Sequence, residues 1–255
     1  MVELAERVAE WKRSRTPRAT RLRELLAMPG VYVPSMYEAR YDAAGHLAGL
    51  EPLVPEAPKA IRRRIVENLP PPLLKPIVPF LQTVHDRAAV EIQRGCRQGC
   101  RFCQAGMIYR PTRERTPAEV VEATGQLLQN TGYDELSLLS LSTTDHSQIV
   151  PIIDALNATF PELKISIPST RVDSFSVDVA NAVAKGKKHT LTLAPEAGSQ
   201  RLRNAVNKLV SDADLLGAAE NAFERGWTGI KMYFMVGLPT ETMDDVEGIV
   251  RWASR

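Results

Sequence analysis

From residue 88 onward, short apolar runs alternate with longer segments whose apolar residues recur every three or four positions. The runs AAVEIQ (88–93), ELSLLSLS (135–142), LKISIP (163–168), HTLTLA (189–194) and TGIKMYFMVGLP (228–239) predict strands. The segments between and after them predict helices over 117–132, 146–160, 176–185, 211–226 and 242–255. Punctuation supports the helical periods. Thr116 is placed as an N-cap, with Pro117 in the first turn, Glu119 at the capping-box position and Gly132 after the end. Ser211 and Gly226 bracket the fourth helix in the same way. Five βα units with short connections predict an α/β fold with a parallel sheet and right-handed crossovers. A barrel, a partial barrel and an open doubly wound sheet all satisfy that pattern.

The first third reads differently. Residues 2–13 and 18–28 predict short Arg-rich amphipathic helices, and residues 30–53 predict a hairpin turning at Asp42–Gly45. Of the 18 prolines, 11 lie in residues 1–86, and the stretches PLVPEAPK and LPPPLLKPIVP are too broken for a self-sufficient core. The expected division is therefore a helical, hairpin and Pro-rich extension over 1–86 and a βα core over 87–255. That core stops in a helix with no closing strand, which reads as incomplete at its C-terminus.

Composition narrows the class. The chain has 255 residues, 44% hydrophobic and 24% charged, with a net charge of +2. Wholesale nucleic-acid binding by bulk charge is not indicated. No apolar run reaches the ~20 residues of a membrane span, and the first 30 residues lack a signal-peptide core. The expectation is a cytoplasmic protein without a membrane partner. There are 3 cysteines, too few and too odd for a disulfide framework, and Cys96, Cys100 and Cys103 all fall within eight residues.

The cluster reads Gly95-Cys96-Arg97-Gln98-Gly99-Cys100-Arg101-Phe102-Cys103 and follows the first core strand directly. Three thiolates on one short loop can converge on an inorganic centre, and soft thiolates select zinc, Cu(I) or iron–sulfur clusters. Structural zinc wants four ligands. There is no fourth cysteine, and a fourth ligand would require a histidine such as His85 to fold back. A 4Fe-4S cluster held by three thiolates leaves one iron open for a small ligand.

The C-x3-C-x-aromatic-C loop, with Phe102 in the aromatic slot, resembles the signature of the radical S-adenosylmethionine (radical SAM) superfamily. The resemblance covers about residues 87–255 and implies a partial TIM-like (β/α) barrel carrying an irregular Pro-rich N-terminal extension. It implies a 4Fe-4S cluster on Cys96, Cys100 and Cys103, whose open iron chelates SAM. One-electron reduction then yields methionine and a 5′-deoxyadenosyl radical, with an electron donor such as flavodoxin or ferredoxin as partner.

Further residues are carried over from the same resemblance. Ser142, Thr143 and Thr144 stand where relatives have a glycine-rich strand end that supports the methionine amino group. The alternative is a polar turn with Asp145 capping the next helix. Ser169 and Arg171 end the next strand, and Arg171 would pair with a carboxylate in the site or with Asp173. Glu196, in Leu193-Ala194-Pro195-Glu196-Ala197-Gly198-Ser199, matches a residue that contacts the SAM ribose. Lys208 stands at the spacing of an arginine that pairs with the SAM carboxylate. Tyr233, Met235 and Gly237 would lie by the adenine. The phrases GVYVPSMYEARY, CRQGCRFCQAGMIYRPTRERTP and LAPEAGSQRLR together resemble uncharacterised radical SAM proteins that usually carry an upstream cobalamin-binding-like domain. Residues 1–86 contain no D-x-H-x-x-G loop, so cobalamin enters only through a domain absent from this chain.

Arg87, Arg94, Arg97, Arg101, Arg110, Arg113 and Arg115 crowd the cysteine region against Glu91 and Glu114. Such a rim would attract a polyanion such as RNA, or balance the charge of a cluster. Two readings follow: a radical SAM enzyme of unassigned substrate, or a non-catalytic metal- or cluster-stabilised binding module, RNA-binding in one version.

Overall fold

A computed structural model describes residues 2–81, 83–84, 86–168, 171 and 190–254. The chain divides into two compact units, Met1–Glu67 and Asn68–Arg255.

The first unit holds α1 (Val2–Ser14), α2 (Arg18–Leu26) and an antiparallel hairpin of β1 (Tyr37–Tyr41) and β2 (Leu47–Pro52). Its turn follows from one side chain: Asp42 Oδ1 accepts from the N–H groups of Ala44 at 2.9 Å and His46 at 2.8 Å. Such Asx turns are favoured because a short carboxylate satisfies nearby backbone donors. The core here is small, with Leu26, Val33 and Ala57 buried and Leu22, Val31, Met36 and Val54 packed around them. Trp11 adds a buried ring whose Nε1–H donates to Glu24 at 2.7 Å.

In the second unit, β3 (Ala88–Glu91), β6 (Glu135–Leu139) and β7 (Lys164–Ser166) form a parallel sheet in the order β3-β6-β7. A second parallel pair joins β8 (Thr190–Glu196) to β9 (Gly229–Phe234). Between β3 and β6 lie β4 (Gln93–Arg94), α3 (Gln104–Ile108), β5 (Arg113–Glu114) and α4 (Pro117–Thr131), with β4 and β5 antiparallel. The remaining helices are α5 (Ile149–Thr159), α6 (Gln200–Ala205), α7 (Asp212–Glu224) and α8 (Met243–Ala253). The helix expected over 176–185 lies outside the described residues.

Alternation along the strands sorts the two faces. Ala88, Val90, Ile92, Leu136, Leu138, Leu191 and Leu193 are buried in one cluster with Val120, Ala123 and Leu127 of α4 and Ile152, Ile153 and Leu156 of α5. Each such side chain contributes about 1.5–3 kcal/mol relative to exposure. The cluster continues into Leu215, Ala218 and Ala222 of α7 and Trp252 of α8. Ala89, Glu91 and Leu139 alternate onto the opposite face, where they border a cleft of about 510 Å³ that is closed on its other side by Pro70, Pro71, Pro72 and Pro76. The proline stretch is pinned there by two side chains. Arg115 Nη2 donates to Pro70 O at 2.5 Å, and Asn130 Nδ2 donates to Leu74 O at 2.9 Å.

The helix signals work as expected at Thr116 and Ser211, each of which closes a full capping box, and Thr242 closes a third that the sequence reading did not name. The strands end earlier than their apolar runs. The run 135–142 leaves the sheet at Leu139, because Thr143–Asp145 turn into a 3-10 segment and α5 starts only at Ile149. The run 228–239 leaves at Phe234, after which the Met235 N–H bonds Glu196 O and Gly237 takes φ +89°.

Candidate active site at the cysteine loop

The cysteine loop starts at the end of β4. Gly95 turns it with φ +90°, and a Cβ there would meet Tyr109 O at 2.6 Å and Pro111 O at 2.7 Å. Only glycine allows that approach. The loop is then braced from outside: Arg110 Nη2 donates to Gln98 O at 2.8 Å, and Asn207 Nδ2 donates to Gly99 O at 2.8 Å. Arg101 N–H bonds Val206 O at 2.9 Å, and its guanidinium bonds Ala205 O. A side chain at Gly99 would press on the Asn207 amide.

Cys96 and Cys100 are buried and Cys103 is half-buried; all three thiols are free of disulfides. Gln98 N–H points at Cys96 Sγ at 3.4 Å. Gly106 N–H points at Cys103 Sγ at 3.3 Å, which makes Cys103 the N-cap of α3. Burial pushes the Cys96 thiol up from its usual value, against the pull of the Gln98 N–H. Phe102 is on the exposed side of the loop.

All seven arginines of the rim have partners within the chain. Arg94 grips Glu91 through two bonds of 2.7 and 2.6 Å, Arg87 reaches Glu135 at 2.5 Å and Arg97 reaches Glu114 at 3.0 Å. Arg101, Arg110, Arg113 and Arg115 bond backbone carbonyls. Much of the positive charge read from the sequence therefore serves to fasten the loop.

The end of β6 supplies the buried carboxylate. Asp145 Oδ2 accepts from Gln98 Nε2 at 3.0 Å and from Ser142 Oγ at 2.8 Å, and the Arg171 Nε is 3.9 Å away. Asp145 therefore does not cap the next helix. The N-cap of α5 is Gln148, without a side-chain cap, because Asp145 turns toward the cysteine loop instead. Arg171 is buried, its N–H donates to Thr144 Oγ1 at 3.1 Å, and its Nη1 is 3.9 Å from Cys100 Sγ. Thr143 is buried, with its hydroxyl bonded to Ser140 Oγ at 2.9 Å and to Leu138 O at 3.3 Å. Ser169 and Asp173 lie outside the described residues, as does His85.

The end of β8 supplies an ion pair on strained backbone. Glu196 sits at a register shift with φ +72°, a left-handed conformation that non-glycine residues rarely adopt. Its carboxylate lies 3.5 Å from Lys208 Nζ, and both side chains are largely buried. Glu196 and Lys208, picked separately as contacts, thus pair with each other. Met235 is bound to Glu196 through the backbone at 2.8 Å. Tyr233 is exposed and carries Lys231 Nζ 4.9 Å from its ring centre. Gly237 N–H bonds Glu241 Oε2 at 2.5 Å.

Several supporting residues gave little signal in the sequence. Arg203 is fully buried and donates to Ala197 O at 3.1 Å and Val210 O at 2.9 Å, and also pairs with Asp212. Asp245 collects Ser199, Arg201 and Thr242. These partners, Arg201 and Ser199 foremost, hold its carboxyl well below the usual carboxylate range. Gln98 and Asp145 are 47 positions apart. Spacing along the chain offers no hint of that bond.

The donor set fits an iron–sulfur cluster. Gln93, just ahead of the loop, has both amide atoms buried with no partner among the described residues, a polar group left for an occupant to satisfy. Among the described residues no three His, Cys, Asp or Glu side chains converge as ligands of one ion do. A cluster of four irons takes each of its protein thiolates at a separate iron.

Residues 90–253 match the family model of the radical SAM superfamily. The chain belongs to the radical SAM superfamily. The cofactors of that family are a 4Fe-4S cluster and SAM, and its members draw on an electron donor. An uncharacterised protein of Methanocaldococcus jannaschii is 35% identical over 161 residues, 63% of this chain and 35% of that protein. An uncharacterised methyltransferase of Pyrococcus horikoshii is 27% identical over 169 residues, 65% of this chain and 36% of that protein. This radical SAM chain spans about a third of the length of these relatives. Among solved structures, the cobalamin-dependent SAM radical enzyme OxsB, with aqua-cobalamin and S-adenosylmethionine bound, superposes with a TM-score of 0.57. The identity is 14%, covering 85% of this chain and 32% of that one. The fold is accordingly α/β, a partial TIM-like barrel of the radical SAM type with a Pro-rich extension ahead of it. Among the described residues no helix is long and apolar enough to cross a membrane.

Proposed function

We propose that Cys96, Cys100 and Cys103 hold a 4Fe-4S cluster and that the chain cleaves SAM reductively. When bound, the cluster supplies one electron to the sulfonium of SAM, which releases methionine and a 5′-deoxyadenosyl radical. The observation that carries this reading is the C-x3-C-x2-C loop directly after the first core strands, with Asp145 bonded to Gln98 inside it and Arg171 Nη1 at 3.9 Å from Cys100 Sγ. Active sites of such barrels are built on loops of that kind.

The chain's own residues take the following roles. Glu196 accepts the ribose hydroxyls, and Lys208 turns from Glu196 to the carboxylate of SAM. Exchanging one carboxylate for another keeps the buried ammonium paired. Arg171 adds a second cation to the pocket. Ser142, Thr143 and Ser169 border the amino group, and Phe102, Tyr233, Met235 and Gly237 border the adenine side. Residues 87–255 carry the catalytic core and 1–86 an extension, of which 68–86 belong to the same compact unit as the core, in a cytoplasmic protein that takes its electron from a flavodoxin or ferredoxin. For an RNA substrate, the supporting surface reduces to Arg97 and Arg101, whose side chains stay exposed. Cobalamin chemistry would require a domain beyond these residues.

Anaerobic reconstitution should give about four irons per chain, and dithionite with SAM should give 5′-deoxyadenosine. Glu196→Ala should weaken SAM binding about tenfold, the equivalent of ~1.4 kcal/mol, with iron content unchanged. A chain that takes up iron yet shows no change in its EPR spectrum with SAM and forms no deoxyadenosine would instead be a cluster-stabilised binding module.

A further inference from the structure

One carboxylate oxygen links three segments that are distant in sequence. Asp145 Oδ2, after β6, receives Gln98 Nε2 from inside the cysteine loop and Ser142 Oγ from its own turn. The same oxygen faces Arg171 Nε from the following strand end at 3.9 Å. The Arg171 backbone is tied to the same turn through Thr144 Oγ1. The guanidinium thus has a fixed root and a fixed anionic partner, and its Nη1 reaches to 3.9 Å of Cys100 Sγ. Both charged side chains are at least nine-tenths buried, Arg171 at 8% exposure and Asp145 at 10%. Solvent and salt screen them weakly at that depth.

We propose that Asp145 is a positioning residue: it holds Gln98 and Arg171 to one carboxylate, so that a fixed cation stands beside the Cys100 sulfur and raises the reduction potential of the cluster bound there. This rests on the cluster assignment of the preceding section. Reduction adds one negative charge to the cluster. A cation held close to a thiolate ligand stabilises the reduced form more than the oxidised one, and charge and hydrogen bonding around the ligand sulfurs are the protein's means of setting the potential. The carboxylate has a second effect. Through Gln98 it fixes the middle of the C-x3-C segment before any iron is present, so the loop meets the incoming cluster already shaped.

The test is an anaerobic redox titration of the reconstituted full chain, read by EPR, in a double-mutant cycle of Asp145→Asn and Arg171→Gln. Arg171→Gln should lower the reduced-to-oxidised ratio at a fixed potential about threefold or more, equivalent to ~30 mV at ~59 mV per tenfold for one electron. Arg171→Lys, which keeps the charge without the fork, should fall between wild type and Arg171→Gln. Asp145→Asn should lower the ratio about twofold or more when Arg171 is present, and by less than half that much in the Arg171→Gln background; a raised ratio overturns the inference. Should Arg171→Gln fail to retain iron, the intermediate ratio expected of Arg171→Lys decides in its place. An unchanged ratio in the iron-loaded Arg171 variants overturns the inference and leaves the cluster assignment standing. So does an Asp145→Asn effect that persists at full size without Arg171. A wild-type chain that takes up no iron overturns both.

Discussion

The segments that follow β6 and β8 both reach the cysteine loop, one through Asp145 and Gln98, the other through Val206 and Asn207 at the far end of α6 and their bonds to Arg101 and Gly99. They are built in opposite ways. After β6, the backbone conformations are ordinary and the site is shaped by side-chain hydrogen bonds to one carboxylate. After β8, the backbone itself is forced. Glu196 is left-handed, and Gly198 lies against Gly248, with 2.8 Å from its virtual Cβ to Gly248 C and 2.5 Å to Ile249 N. The first end can lose a partner and still fold. At the second, sterics and buried charge hold the chain in place, so a change there is felt by the whole core.

The largest expected effect is at that second end. Gly198→Ala places a methyl group against the backbone of α8, which cannot move as a flexible side chain would. Urea unfolding should show a loss of about 3 kcal/mol or more; a loss under about 1 kcal/mol would remove the contrast between the two ends. Next is Arg203→Met, which leaves Ala197 O without its Arg203 donor and Val210 O with Gln200 Nε2 alone. The expected cost is about 2–3 kcal/mol, below that of a fully buried pair because Asp212 is partly exposed.

Asp245 ties the same end to pH. Its carboxyl is held below the ordinary value of ~3.9 by Arg201 and Ser199. The native state therefore gains stability from the ionised group above that pH and loses it as pH falls further and the carboxyl takes up its proton. Asp245→Asn should be less stable than wild type at pH 6, with the gap closing below about pH 4 in parallel acid unfolding curves.

At the first end, Gln98→Leu removes one hydrogen bond from a half-buried position. It should cost about 1 kcal/mol of apo-protein stability but measurably speed iron loss to a chelator. Equal losses at both ends would mean that the β6 end is as rigid as the other. The smallest effect carries the opposite sign. Gln93→Leu replaces an amide that has no partner among the described residues, and the apo-protein should gain about 1 kcal/mol. Destabilisation by the same amount would show that the amide is satisfied without a ligand.

Much of the frame was legible from local rules. The N-caps at Thr116 and Ser211, the hairpin turn at Asp42 and the succession of strands along the chain follow from short-range hydrogen bonding and from periodicity, both of which act within a few residues. The strand ends were less legible, because apolar residues past Leu139 and Phe234 continue the run after the chain has left the sheet. The cysteines could be read because ligand spacing on one loop is itself local. For Asp145 the local sequence suggests, as one alternative, a helix cap, and partners 47 positions upstream and 26 downstream draw it elsewhere.

What the sequence by itself determined is the identity of the chemistry. Three thiols without a fourth, placed directly after a strand and ahead of βα units, restrict the choice of cofactor whatever the details of packing. Only the tertiary structure decided how charge is distributed around those thiols. It tied the Arg-rich rim to carboxylates and carbonyls of the chain as braces, paired Glu196 with Lys208, and brought Arg171 to Cys100 by way of Asp145. A charged side chain can satisfy many partners equally well in isolation. Burial makes the choice, because a desolvated charge must take the counter-charge or carbonyl that the fold places within reach.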